Sequence, residues 1–462
     1  MNEGRSDNRN RQNRRNGPKR RNSGKPKHRL SPGWSSRLAA AQIVLKIMQE
    51  GLDMDEALAD SEAFDALEGA DRGFARAIAS STLRTIGRID GALAGFLDRP
   101  ISKIDPPVLA LLRIGAGQLW VMDAPAYAVV SATVDAARQW KPASRGGGLV
   151  NAILRRADRE RDAFTALPTS RIWPDWLADR LSAVLGPEGV ESLAQLQSED
   201  PNTDITVKSN AADWAEKMSA ELLANESIRL PTGTSITDLE GYVEGEWWVQ
   251  DAGAALPARL LDKASGGLKG KRVADLCAAP GGKTMQLCAI GADVTALDTS
   301  PGRLAIVEEN LGRTQMSAKL ISADAIEWRP ETPFDAILLD APCSALGTLR
   351  RHPEGAWRRT AKGLSRYPAI QTKLLEAAAD MVNPGGVVVY CVCTPLPEEG
   401  VDVITAALET DDWSALPINA DEVPGFEHAL TPEGWLLTAP PADRQSPHIV
   451  SDLFFIARLK RN

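Results

Sequence analysis

From Lys271 onward, short apolar runs alternate with helix-forming segments, and several runs end at an acid or a cysteine. Runs that read as strands cover 272–277, 293–298, 319–322, 334–339, 386–393 and 452–459. Between the first two, residues 283–290 read as a helix; another starts after Ser300, with Ser300 as its N-cap and Pro301 at its first position. Such alternation predicts a doubly wound sheet with helices on both faces. Ligands of these sheets bind beyond the carboxyl ends of the strands, where Asp275, Asp298, Asp340 and Cys393 fall.

The rest of the chain is organised differently. Residues 34–165 are rich in alanine, with Leu38, Ile43, Leu45, Ile47 and Met48 near helical spacing, and glycine and proline divide them into helices of ordinary length. This predicts an all-α domain. Residues 166–270 are mixed, with β-like runs at Ile205–Val207 and Glu246–Gln250; they form a linker and an α+β segment before the alternating domain of 271–462. Trp173, Trp176, Trp247 and Trp248 are candidates for stacking on bases, against a more ordinary fate in the core.

The net charge of −8 conceals an asymmetry: residues 1–33 carry eleven Lys or Arg against Glu3 and Asp7, so the remainder carries −17. With almost no apolar side chains, the first 33 residues are expected to be a disordered basic arm. Such an arm either neutralises phosphates or serves as a solubilising tail. No apolar core follows the basic start before Leu38 and no run is long enough to span a bilayer, so no secretory leader is expected, and all five cysteines lie within 117 residues without a disulfide framework. A cytoplasmic protein is expected.

The sequence Asp275-Leu-Cys-Ala-Ala-Pro-Gly-Gly-Lys-Thr284 supplies a glycine turn between strand and helix, where backbone amides can approach a ligand. It is not a pyrophosphate loop. Asp298 ends the next strand, 17 residues after Gly281, suited to a ribose diol. A ribose without pyrophosphate fits an adenosyl ligand such as S-adenosylmethionine. Asp324 either reaches the adenine amino group or is a surface acid.

Two cysteines stand apart from the others. Cys343, in Asp340-Ala-Pro-Cys, and Cys393, in Tyr390-Cys-Val-Cys-Thr394, end apolar runs beside proline-containing turns, whereas Cys277, Cys288 and Cys391 default to packing. Methylation of a pyrimidine at carbon 5 requires a nucleophile at carbon 6 and later a base at carbon 5, and a thiolate suits the first task. Cys391 and Cys393 lack a partner pair for zinc, so no metal is expected.

With Leu339-Asp-Ala-Pro-Cys-Ser344, Leu349-Arg-Arg-His-Pro-Glu354 and Leu396-Pro-Glu-Glu399, these motifs resemble the Sun-type RNA cytosine carbon-5 methyltransferases, and within them the bacterial ribosomal small-subunit methyltransferase B family, from Ser35 onward. The resemblance implies a Rossmann-like methyltransferase domain that uses S-adenosylmethionine, preceded by a helical domain like the RNA-binding factor NusB. It implies small-subunit ribosomal RNA as partner, an RNA-binding role for 166–270, and a monomer. It makes Cys393 the nucleophile, Cys343 the residue that assists release, and Asp340 a contact to cytosine nitrogen 3. The implied cofactor contacts are Cys277, Ala278, Ala279, Pro280, Gly281, Gly282, Lys283, Asp298, Asp324 and Asp340. The chain departs from the family at Val392-Cys393-Thr394, where Thr-Cys-Ser is usual, and at Pro201-Asn-Thr-Asp204. A transfer RNA substrate with the same chemistry and a non-catalytic ribosome-assembly factor are the alternatives.

Overall fold

The computed structural model describes residues 29–441 and 448–462, so most of the expected basic arm lies outside the described residues. The alanine-rich segment folds into helices that include Trp34–Glu50, Gly69–Ala94, Pro106–Trp120, Ala126–Gln139 and Gly147–Arg159. Pro106–Trp120 starts with prolines, which need no amide partner in the first turn, and packs on the other four. Its near-complete burial follows from an apolar surface all round, with Gly115 letting Leu154 approach.

A helix that the sequence pattern did not announce, Asp175–Ser198, bends at Gly186 (φ 72°) and Pro187 and leads toward the second half of the chain. Four strands then form a small antiparallel sheet: β1 (Thr203–Val207), β2 (Glu221–Leu222), β3 (Ile228–Leu230) and β4 (Trp247–Val249), in the order β2-β3-β1-β4. Of the four tryptophans considered as stacking platforms, Trp173, Trp247 and Trp248 are buried. Each indole N–H is satisfied internally, by Gln197, the Glu240 carbonyl and Gln250 respectively. They pack the core, and Trp176 packs partly buried beside Trp173.

The large sheet contains β5 (Arg272–Leu276), β6 (Asp293–Asp298), β7 (Lys319–Ser322), β8 (Phe334–Asp340), β9 (Val382–Val392), β10 (Trp413–Ala415), β11 (Leu436–Leu437) and β12 (Phe455–Arg461). Its order is β10-β12-β9-β8-β5-β6-β7, with β11 also pairing β12. Strands β5 to β9 are parallel, and β12 enters antiparallel against β9. The chain leaves β5 for β6 on one side and returns as β8 on the other, so the carboxyl end of β5 is the switch point at which such sheets bind ligands. Apolar clusters cover both faces, one around Ile337, Leu339 and Tyr390, the other around Val273, Leu338 and Val389.

Strand β12 begins three residues later than the pattern predicts, because Asp452 belongs to a buried charge cluster instead. Arg351 bridges Asp251 (2.7 Å) and Asp452 (3.0 Å), and Arg350 lies 3.4 and 3.5 Å from the same two carboxylates. The Arg350 carbonyl accepts from Arg84 of the helical region (3.2 Å), and Arg351 donates to the Asn202 carbonyl (3.1 Å). Helical region, small sheet and large sheet therefore meet at one buried network, where removing any partner would strand a charge.

Candidate active site

At the switch point the chain leaves β5 through Cys277, whose φ is +64°, and turns at Gly281 (φ +103°) into the helix Gly282–Ile290. The turn is tied down by Ala278 N–H to the Leu297 carbonyl (2.9 Å) and Gly281 N–H to the Ala278 carbonyl (2.8 Å). Asn310 donates to the Pro280 carbonyl (3.0 Å). A Cβ on Gly281 would come within 3.1 Å of Val307 in a backbone region that other residues rarely adopt, so the turn needs glycine there.

Beside this turn lies a cavity of ≈ 210 Å³ lined by Cys277, Asp298, Arg303, Asp324, Ile326 and Ile370, among others. Asp298 is buried, accepting from Ala279 N–H (3.3 Å) and Ser300 N–H (3.0 Å), with Arg303 3.3 Å away. Asp324 is exposed; its Oδ1 accepts from Ile326 N–H (2.9 Å). The glycine turn, two strand-end acids and apolar walls match the polar edge and flat faces of an adenosyl group.

The Lys283 side chain is not part of this cavity's lining. Its ammonium meets Asp340 Oδ2 at 2.7 Å, and although burial opposes the charge, the Asp340 carboxylate keeps its pKa above the ordinary lysine value. Asp275 lies beneath, fully buried; Thr284 donates to one oxygen (2.5 Å), and burial raises its pKa to about 7.

The structure brings together the two singled-out cysteines. Strands β8 and β9 are parallel neighbours, with Asp340 opposite Cys391, so the segments after them run side by side. Cys343 Sγ and Cys393 Sγ lie 3.3 Å apart, both half-buried, and Cys391 is buried with its Sγ 3.5 Å from Asp340 Oδ1. The contact with Cys343, followed by burial, pushes the Cys393 thiol well above the ordinary cysteine pKa. Cys288 is remote from this pair, donates toward the Ser317 carbonyl (3.4 Å), and is pushed up to about 12 by burial.

Four residues of the site had no assigned role in the sequence. Glu399, in the quoted Leu396–Glu399 motif, is fully buried and accepts from Ser344 N–H (2.8 Å). Gln371 donates both to Glu399 (3.2 Å) and to the Pro342 carbonyl (2.9 Å). Ser344 hydroxyl meets Thr394 hydroxyl at 2.9 Å. The quoted motifs carried a signal for Glu399, Ser344 and Thr394; Gln371 lies in a helix with nothing in its neighbours to mark it.

The profile of the 16S rRNA methyltransferase RsmB/F family matches residues 267–460, and that of the NusB family matches residues 35–159. The ribosomal RNA small subunit methyltransferase B of Xanthomonas campestris is 36% identical over 419 residues, covering 86% of this chain and 92% of that protein. Its counterpart in Pseudomonas putida is 35% identical over 394 residues, covering 80% and 88%. Among solved structures, that of PH0851 aligns with a TM-score of 0.69 at 23% identity, covering 94% of this chain and all of that one. A methyltransferase homolog protein from Pyrococcus horikoshii aligns at 0.51 and 24% identity over 63% and 96%. These two likenesses show the fold, and the two profiles identify its parts as a Rossmann-like methyltransferase domain after a NusB-like one. No helix of the described residues is long and apolar enough to cross a membrane.

Proposed function

The chain belongs to the ribosomal RNA small subunit methyltransferase B family, and from that premise we propose that it methylates carbon 5 of a cytosine in small-subunit ribosomal RNA through a covalent adduct of Cys393. The observation that carries this reading is the 3.3 Å approach of Cys343 and Cys393 beside the cavity that holds Asp298 and Asp324.

The Cys393 thiolate adds to carbon 6 of a cytosine swung out of its stack, forming the S–C6 bond and placing electron density on carbon 5. A proton shared between Asp340 and ring nitrogen 3 makes the hydrogen bond there and offsets the negative charge that addition places on the ring; Lys283 at 2.7 Å orients the carboxyl for that task. Bound in the cavity, S-adenosylmethionine supplies an electrophilic methyl group for carbon 5. Cys343, acting as a thiolate, then takes the proton from carbon 5 and becomes a thiol, the C5–C6 double bond re-forms, and the S–C6 electron pair returns to Cys393 as its thiolate. The turn Cys277 to Lys283, with Asp298 on the ribose and Asp324 on the adenine, holds the cofactor in this reading. The domain division at 34–165, 166–270 and 271–462 assigns RNA contact to the first two parts and chemistry to the third.

The test is methyl transfer from labelled S-adenosylmethionine to protein-free small-subunit ribosomal RNA, with the labelled nucleoside identified. Label in 5-methylcytidine with the parent enzyme, lost by a factor on the order of 10⁴ or more in Cys393→Ala while cofactor binding persists, is the expected result. Equal activity in Cys393→Ala would overturn the mechanism; label in transfer RNA alone would replace the substrate.

A further inference from the structure

Glu399 and Gln371 lie behind the two thiols, out of reach of any substrate, and nothing in the proposed chemistry uses them. We infer that they form a positioning pair that sets the reach of Cys343 and, through it, the rate at which methylated product is released; the inference rests on the release role given to Cys343.

The connections are specific to the residues on either side of that cysteine. Glu399 Oε2 accepts from Ser344 N–H (2.8 Å), immediately after Cys343, and Gln371 Nε2 donates to the Pro342 carbonyl (2.9 Å), immediately before it. Gln371 Nε2 also donates to Glu399 Oε2 (3.2 Å), which closes the clamp. The clamp is anchored to the nucleophile's own strand, because Tyr390 hydroxyl, in β9, donates to the Glu399 carbonyl (2.6 Å). Ser344 hydroxyl to Thr394 hydroxyl (2.9 Å) adds a tie one residue beyond Cys393. Cys343 is thus held on both sides by groups referenced to Cys393.

A lone buried N–H needs only a neutral acceptor. The chain instead places a carboxyl there, fully buried, whose Oε1 finds no partner among the described residues, and burial raises its pKa. An unsatisfied buried oxygen is costly. That cost goes with a single acceptor that takes two donors, one from the Cys343 loop and one from the helix Tyr367–Met381, which a hydroxyl would hold less firmly.

The experiment follows the covalent protein–RNA adduct, as a denaturant-resistant band, together with the rate of product release in a single turnover. Cys343→Ala is the reference and is expected to trap the adduct. Glu399→Ala is expected to slow release by about tenfold or more while adduct formation proceeds, the fold-change that corresponds to one hydrogen bond to a charged group. Glu399→Gln, which keeps the acceptor, restores release. Should Glu399→Ala fail to fold, Gln371→Met removes the ties to Pro342 and to Glu399 while leaving the Ser344 N–H to Glu399 bond in place, and is expected to trap the adduct as well. Trapping in Cys343→Ala without trapping in folded Glu399→Ala or Gln371→Met overturns the inference alone, as does an equal loss of adduct formation and release. Free release from Cys343→Ala overturns the role of Cys343 and the inference with it.

Discussion

Asp275→Asn should make the protein more stable, and increasingly so as the pH rises. The carboxyl of Asp275 is fully buried at the end of β5, one oxygen takes the Thr284 hydroxyl at 2.5 Å, and the other has no partner among the described residues. Burial raises its pKa from 3.8 to about 7, even with Lys283 and the Thr284 hydrogen bond pulling the other way. A carboxyl with a raised pKa in the folded state favours folding fully only below its unfolded value. As the pH rises from about 4 to about 7 the unfolded chain releases the proton first, and stability is lost through that window. Some three units at 1.36 kcal/mol each make the loss at pH 8 about 4 kcal/mol as a ceiling. Asparagine keeps the shape and accepts from Thr284 without ever ionising. Thermal unfolding of parent and variant at pH 4.5 and pH 8 should therefore show a small difference in acid and a Tm gain of the order of 10 °C at pH 8 for a unit of this size. A difference that does not change with pH would refute the reasoning.

Two further outcomes follow from the same geometry. Gly281→Ala forces a Cβ to within 3.1 Å of Val307 at φ +103° and should weaken S-adenosylmethionine binding by about tenfold or more, measured by calorimetry, with the thermal stability of the helical region unchanged. Because the resting Cys393 thiol is held above its ordinary pKa, kcat/KM should climb with pH from neutrality upward; a profile flat above pH 7 would contradict a thiol that must lose its proton.

Much of the large sheet was legible because each strand is short, apolar and ended by a residue that faces the ligand side. β6 and β7 fall where the runs 293–298 and 319–322 place them, and Ser300 caps the next helix by accepting from Arg303 N–H at 3.3 Å. Local signals of this kind are contained in a few adjacent residues. The helix Asp175–Ser198 was not read because Gly186 and Pro187 break its period, and the late start of β12 depends on Arg351, a hundred residues upstream. At the site, the strand-end acids and the two cysteines could be named from motifs. Their couplings could not: Lys283 with Asp340 and Cys343 with Cys393 are set by the neighbouring places of β5, β8 and β9, which only the sheet order supplies.

The site's charge distribution explains why so reactive a pair can rest safely. Asp275, Asp298 and Asp340 converge at the strand ends, and Lys283 and Arg303 are their close cationic partners. Such an acid-rich, water-poor setting disfavours any further negative charge, and both Cys391 and Cys393 are pushed up accordingly. A permanent thiolate beside a methyl donor would itself be a target for alkylation, so in the proposed mechanism a resting thiol protects Cys393. For Cys393 the largest contribution is the contact with Cys343, ahead of burial. Two sulfurs 3.3 Å apart leave no room for a ring between them, so a base that enters must separate them. In the proposed mechanism its arrival breaks the Cys343 contact that raises the Cys393 pKa most, while the pull of Lys283 toward the thiolate remains. In the proposed mechanism the substrate thereby activates its own nucleophile, and the inferred clamp around Pro342 and Ser344 is what would return Cys343 to the carbon 5 proton once the methyl group is in place.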